Sequence, residues 1–112
     1  MRKIFEESFQ NGYRRVVMIG SDAPEMDRRT VRRAFRQLRS RPAVFQPTVD
    51  GGYALVGMSR MLDVFSGIPW STAAVMAKTR RRLGILRVRH TELPESYDID
   101  TAGDLARWRG RP

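Results

Sequence analysis

The sequence predicts an α/β fold, and three observations predict it. An unbroken apolar run, Arg15-Val16-Val17-Met18-Ile19, is rich in β-branched residues. An amphipathic helical pattern follows it directly, and a second apolar run, Tyr53 to Met58, stands behind an Asp-Gly-Gly turn signal. Unbroken apolarity suits strands covered on both faces, as in a parallel sheet, and strands alternating with amphipathic helices define α/β organisation. A chain of 112 residues fits one domain over residues 1–112 with one modest core.

In chain order, residues 3–11 read as a helix, with Ile4, Phe5 and Phe9 on one side and Gly12 as its stop. The 15–19 strand runs into a polar loop, Gly20-Ser21-Asp22-Ala23-Pro24. A helix over about 27–39 comes next, because Val31, Ala34, Phe35 and Leu38 recur at i, i+3, i+4 and i+7. Ala43-Val44-Phe45 is a strand ended by Pro47, and 53–58 is a third. A short helix is expected over 60–66, and another from Trp70-Ser71 to Leu83, stopped by Gly84. Leu86-Arg87-Val88-Arg89 alternates like a half-exposed edge strand. A last helix is expected from Thr101, with Asp104 completing a capping box and Leu105 and Trp108 turned inward.

Composition narrows the function classes. There is no cysteine, so no disulfide framework and no thiolate metal site. The apolar runs are far too short for a membrane span, and Met1-Arg2-Lys3 is followed by Glu6 and Glu7 rather than by a signal sequence. The expectation is a soluble cytoplasmic protein. Net charge is +9, and the 21 basic residues are almost all arginine, a surface that attracts phosphate. Arg28, Arg29, Arg32, Arg33, Arg36 and Arg39 surround the apolar stripe of the 27–39 helix, and Arg80, Arg81 and Arg82 form a second cluster. No aromatics interleave with them and no nucleic-acid-binding motif occurs, so a solvated helix face is favoured over a nucleic-acid surface.

Four segments could carry chemistry. Asp22 follows the end of a buried strand, where α/β sheets place ligand groups, and a carboxylate there can hold a hard cation or simply cap a turn. Asp50-Gly51-Gly52-Tyr53 is a hairpin signal first, with glycines that also admit a bulky ligand. Asp98-Ile99-Asp100-Thr101 sets two acids before the expected last helix, where they serve as caps or as metal ligands. Trp70-Ser71-Thr72 offers either a core ring and a helix cap or an aromatic face to a ligand. His90 is the one histidine, without an obvious partner in the sequence.

In this order and spacing, Gly20-Ser21-Asp22-Ala23-Pro24, Asp50-Gly51-Gly52-Tyr53-Ala54-Leu55-Val56-Gly57, Trp70-Ser71-Thr72 and Asp98-Ile99-Asp100-Thr101 with Asp104-Leu105 resemble a bacterial glycosyltransferase family. That family has the GT-A, nucleotide-diphospho-sugar transferase fold, a Rossmann-like sheet with flanking helices. The resemblance implies Asp22 and Asp100 as ligands of Mg²⁺ or Mn²⁺ on a sugar-nucleotide diphosphate. It also implies Asp50 to Tyr53 along the sugar or acceptor side, with Gly20, Ser21, Gly51, Gly52, Tyr53 and Trp70 as the expected substrate-binding residues; for the acceptor's proton, Asp50 is the one carboxylate to nominate as base. Nucleotidylyltransferases of the same fold end similarly, which makes nucleotidylyl transfer the alternative chemistry. The family opens with a strand and a basic, Gly-containing loop that grips the nucleotide, and no such motif occurs here. The chain therefore reads as the C-terminal portion of such a domain. A non-catalytic fragment and an arginine-driven nucleic-acid binder are the remaining alternatives. An incomplete sheet would expose an edge, which predicts homodimer formation.

Overall fold

The computed structural model describes residues 2–20, 28–66, 68 and 73–94, and the backbone of 105–110. The element order is α1 (Arg2–Gln10), β1 (Arg15–Gly20), α2 (Arg28–Gln37), β2 (Ala43–Pro47), β3 (Tyr53–Met58), α3 (Val75–Ile85), β4 (His90–Glu92) and β5 (Leu105–Gly110). The five strands form one sheet in the order β4-β2-β3-β1-β5. The α/β class expected from the sequence is the class observed.

The sheet is mixed rather than parallel. β1 pairs antiparallel with both β3 and β5, β2 pairs antiparallel with β3, and only β2 and β4 run parallel. Unbroken apolarity of β1 was a correct sign of burial on two faces. Val16 and Met18 join one apolar cluster and Val17 the other, all essentially inaccessible. Burial on both faces comes from helices packed above and below, and it does not fix strand direction.

Each face has its own core. On one, Phe5 of α1 and Met76 and Leu83 of α3 pack with Phe45, Val56 and Met58. On the other, Ala34 and Leu38 of α2 pack with Val17, Val44 and Leu55. Gly57 makes the second contact close: a Cβ there would lie 2.8 Å from Val44 Cγ1 and 3.2 Å from Leu38 Cδ1.

Four expected elements are corrected. The 60–66 segment is irregular, not helical. Leu62, Val64 and Phe65 enter the first core, and the Asp63 carboxylate accepts hydrogen bonds from Ser66 and Arg82. Gly84 lies inside α3 and does not stop it. The helix ends at a Schellman turn, with Val88 N–H bonding Leu83 C=O at 2.9 Å and Arg87 N–H bonding Gly84 C=O at 3.1 Å. Arg87 takes the left-handed position (φ 55°). The apolar pair Leu83 and Val88, both in the first core, sets this terminus and overrides the glycine's preference. Residues 86–89, expected as an edge strand, are therefore turn and coil, and the edge strand is β4, at 90–92. Finally, 105–110 pairs with β1 as a strand where a helix was expected. Six-residue pairing to a buried strand outweighs a 3.6-residue pattern carried by two apolar side chains. The expected capping box at Thr101 and Asp104 lies outside the described residues.

α1 ends as its sequence signalled. Tyr13 N–H bonds Ser8 C=O, Gly12 N–H bonds Phe9 C=O, and Gly12 is left-handed (φ +89°).

Candidate functional site

Strand directions define one end of the sheet as the place to look. β1, β2 and β4 point their carboxyl ends the same way, because β1 and β2 are each antiparallel to β3. Ligands of α/β sheets gather beyond strand carboxyl ends. β1 reaches this end at Gly20, which pairs with Leu105 at the start of β5. Beside them, Ile19 pairs with Leu55, so the turn entering β3 lies at the same end.

That turn is tightly built. Thr48 N–H bonds Gly52 C=O at 3.0 Å and Gly51 N–H bonds Thr48 C=O at 3.1 Å. The buried Thr48 hydroxyl donates to Asp50 Oδ1 and accepts from Gly52 N–H at 3.1 Å. Asp50 Oδ1 also accepts Gly52 N–H at 3.4 Å. The Asp-Gly-Gly signal is thus realised as a hairpin turn, with the Asp50 side chain holding it from within. Thr48 went unnoticed in the sequence; the signal was Thr two residues ahead of Asp-Gly, a side-chain pair that closes its own backbone.

Gly51 adopts φ +93°, and a Cβ on it would fall 1.9 Å from the Ala73 carbonyl oxygen. Its own carbonyl accepts Met76 N–H at 2.7 Å. α3 has no side-chain N-cap, since its N-cap residue is Ala74, so the turn backbone fills that role. The segment entering α3 is thereby pinned to the β2–β3 turn. Sequence reasoning assigned the glycine freedom at 51 and 52 to a ligand; at 51 the close neighbour is the backbone of Ala73.

Tyr53 turns its ring into the first core, edge-on to Phe45 with centroids 5.2 Å apart. A bulge causes this: Gln46 pairs with Leu55 and Pro47 with Tyr53, so Ala54 is an extra residue that resets the alternation. Burial pushes the Tyr53 phenol above its ordinary range, with hydrogen bonding to Thr79 acting the other way.

Of the expected site residues, the structure brings together Gly20, Asp50, Gly51, Gly52 and Tyr53 at the carboxyl ends of β1 and β2. Ser21, Asp22, Trp70 and Asp100 lie outside the described residues. Among the described residues, no three His, Asp or Glu side chains come together as a cation site; Asp22 and Asp100, the expected metal ligands, are not among those residues.

His90, which had no evident partner in the sequence, has one. Its Nε2 lies 2.9 Å from Glu92 Oε2, and the ring packs edge-on to Phe45. Arg80 donates to both oxygens of Glu92, at 2.9 and 2.7 Å. These donors hold the Glu92 carboxyl at about 2, well below its ordinary value, Arg80 contributing most. The cluster ties the edge strand to α3. Among the described residues no helix is long and apolar enough to cross a membrane.

Comparison with known proteins agrees with the geometry. A family model described as an uncharacterized protein conserved in bacteria (DUF2064) matches residues 1–72. A crystal structure of a "putative nucleotide-diphospho-sugar transferase" from Desulfovibrio desulfuricans G20 superposes with a TM-score of 0.82 at 36% identity. The match covers 89% of this chain and 45% of that one, so the chain spans under half the length of its structural relative. No curated protein matches the chain.

Proposed function

The chain belongs to the bacterial family DUF2064, and from that footing we propose that it forms part of a metal-dependent glycosyltransferase using a nucleotide-diphospho-sugar donor. One observation carries the reading. The end of β1 that leads into Ser21-Asp22, the Asp50–Tyr53 turn, the entry to α3 and the start of β5 all meet at one end of the sheet. These are the segments, otherwise scattered through the chain, on which the family resemblance rests. The likeness to the Desulfovibrio protein, at 36% identity, supports the same fold and the same class of donor.

In this reading Asp22 and Asp100 hold Mg²⁺ or Mn²⁺, an all-carboxylate pair suited to a hard cation that keeps its remaining sites for phosphate oxygen and water. The cation supplies neutralisation of charge on the departing nucleoside diphosphate. Gly20 and Ser21 present backbone to the diphosphate without a bulky side chain in the way. Asp50, exposed and fixed by Thr48 and Gly52 through Oδ1, takes the proton of the acceptor hydroxyl. Gly51, Gly52, Tyr53 and Trp70 form the side on which sugar and acceptor meet.

Calorimetric titration with a panel of nucleotide-diphospho-sugars and Mn²⁺ tests this, on the chain and on the longer protein of which such domains are part. Saturable metal-dependent heat is expected, reduced at least about tenfold in Asp22→Asn, the scale on which outer partners of a metal already count. Metal-dependent affinity unchanged in that variant removes Asp22 from the role. Product analysis with a nucleoside triphosphate in place of the sugar donor separates glycosyl from nucleotidylyl transfer.

A further inference from the structure

The outer face of α2 carries a charge pattern that the fold does not use. Arg28, Arg29, Arg32, Arg33, Arg36 and Arg39 are all exposed, while Val31, Ala34 and Leu38 are buried against the sheet. None of the six makes an ion pair with a described residue. The pairs Arg28/Arg32, Arg29/Arg33 and Arg32/Arg36 are four residues apart, and such like-charge neighbours each weaken a helix by a few tenths of a kcal/mol. Arg28 and Arg29 also occupy the first turn, where the helix dipole disfavours cations and the turn itself holds no acid. Elsewhere the chain does pair its arginines: Arg80 with Glu92, Arg82 with Asp63, Arg2 with Glu6. α2 is thus a helix whose exposed side opposes its own stability unless negative charge comes from outside.

We propose that this face docks the protein on an anionic lipid bilayer. The five arginines of α2 fan over an arc of about 140° centred away from the sheet, at ~100° per residue, and extend along about 12 Å of helix, with Arg39 in the turn that follows. They form a convex, purely cationic ridge. α2 is the one helix on its side of the sheet among the described elements, α1 and α3 packing on the other side, so nothing described stands beside it to form a groove. Arginine alone can grip a nucleic-acid backbone, but stacking on bases or pairing with adenine needs aromatic or amide side chains on the same face. Here Phe35 is half-buried in the second core and Gln37 is half-buried and bonded to Thr91. What remains is guanidinium alone on a convex ridge, a shape and charge that match the dense phosphate of a planar anionic surface. Docking of this kind is electrostatic, reversible and independent of the reaction proposed above.

The test is sedimentation with vesicles of phosphatidylcholine alone and with about one-third phosphatidylglycerol, at low and high salt. The chain should bind only the anionic vesicles and be released at high salt. Each arginine near such a surface is worth about fivefold in partition, so Arg29→Gln/Arg32→Gln/Arg36→Gln should lose about a hundredfold. Arg33→Gln/Arg36→Gln/Arg39→Gln should lose as much, so a folding defect peculiar to one set does not decide the outcome. Arg14→Gln/Arg60→Gln/Arg81→Gln changes net charge equally at exposed positions outside α2 and should bind like the parent. Absence of binding to anionic vesicles at low salt overturns the proposal, as does equal loss in all three variants. So does a shift of duplex DNA at that salt with the vesicles left unbound.

Discussion

Replacing Gly51 by alanine isolates the contact that pins α3 to the β2–β3 turn. Two separate costs arise there. The first is conformational: φ is +93°, where an L side chain costs about 1–2 kcal/mol. The second is steric, since the new Cβ would lie 1.9 Å from Ala73 O and 2.6 Å from Ala73 C. Both are backbone atoms, so no rotamer change relieves the overlap. Either the turn or the entry to α3 must retreat, breaking the 2.7 Å bond from Met76 N–H to Gly51 C=O. An unsatisfied backbone group costs a further ~1–3 kcal/mol. The sum is about 2–5 kcal/mol, a large share of the stability of a domain this size. Gly12 supplies the control, with φ +89° and nothing within 4 Å of its Cβ position, so Gly12→Ala carries the conformational cost alone. Gly52 supplies the second, having ordinary contacts at 3.5 and 3.8 Å, and Gly52→Ala should cost under about 1 kcal/mol. Thermal unfolding followed by far-UV circular dichroism ranks the three variants. Gly51→Ala should melt more than about 10 °C below the parent, Gly12→Ala about 4–8 °C below. If Gly51→Ala proves no worse than Gly12→Ala, α3 does not rest on this turn, and the convergence of segments at this end loses its structural basis.

Other outcomes follow from the same coordinates. Arg87→Gly should stabilise by about 1 kcal/mol in chemical unfolding, because a left-handed residue with a side chain gives way to one that adopts φ 55° freely; Gly84→Ala, inside α3 with open space at its Cβ, should add up to ~1 kcal/mol more. Failure of both would mean that α3 ends elsewhere. Ser8 is fully buried and its hydroxyl has no partner among the described residues, so Ser8→Ala should raise the melting temperature, removing a desolvation cost of about 1–3 kcal/mol against the loss of little packing. A fall of comparable size would show that the hydroxyl is bonded. Glu92, with its carboxyl held at about 2, stabilises the fold while ionised, and that contribution is present above about 4.5 and fades as pH falls toward 2. The pair is partly exposed, so Glu92→Gln should cost only about 1 kcal/mol near neutrality and nothing near pH 2. A difference that persists undiminished at pH 2 would assign the effect to packing instead of charge.

Much of the fold was legible because local signals agreed with packing. Phe5 and Gly12 marked α1, the Val31-Ala34-Leu38 stripe marked α2, and both became what the periodicity implied. The errors fall where two local signals compete and a distant residue decides. Gly84 and Arg87 both stood near the end of α3, and the choice was made by Val88 reaching the core beside Leu83, a preference invisible in propensities. The 105–110 segment carries apolar residues at a helical interval, yet its pairing with β1 is a property of β1's free edge. For the candidate site, residue types and order were legible, while the hydrogen bonds that fix Asp50 were not. They depend on Thr48 being buried, which only the packed turn establishes.

Strand direction gives the mistaken expectation of a parallel sheet its consequence. Had β3 run parallel to β1, the chain would have had to cross over after β2, and Tyr53 would have entered β3 at the end opposite Gly20. Because β3 is antiparallel, the connection shrinks to a hairpin turn, and the residues opening β3 come to the end at which β1 finishes. The turn reading and the ligand reading of Asp50-Gly51-Gly52 are therefore not rivals, since the hairpin is what carries these residues to the candidate site. α3 begins at this end, where Gly51 accepts Met76 N–H. It accordingly directs its positive end toward the same place, a polarity that favours an anion such as a diphosphate. The reversal of β3 relative to β1 and β2 is what brings the Asp50–Tyr53 turn to the end of the sheet at which β1 finishes.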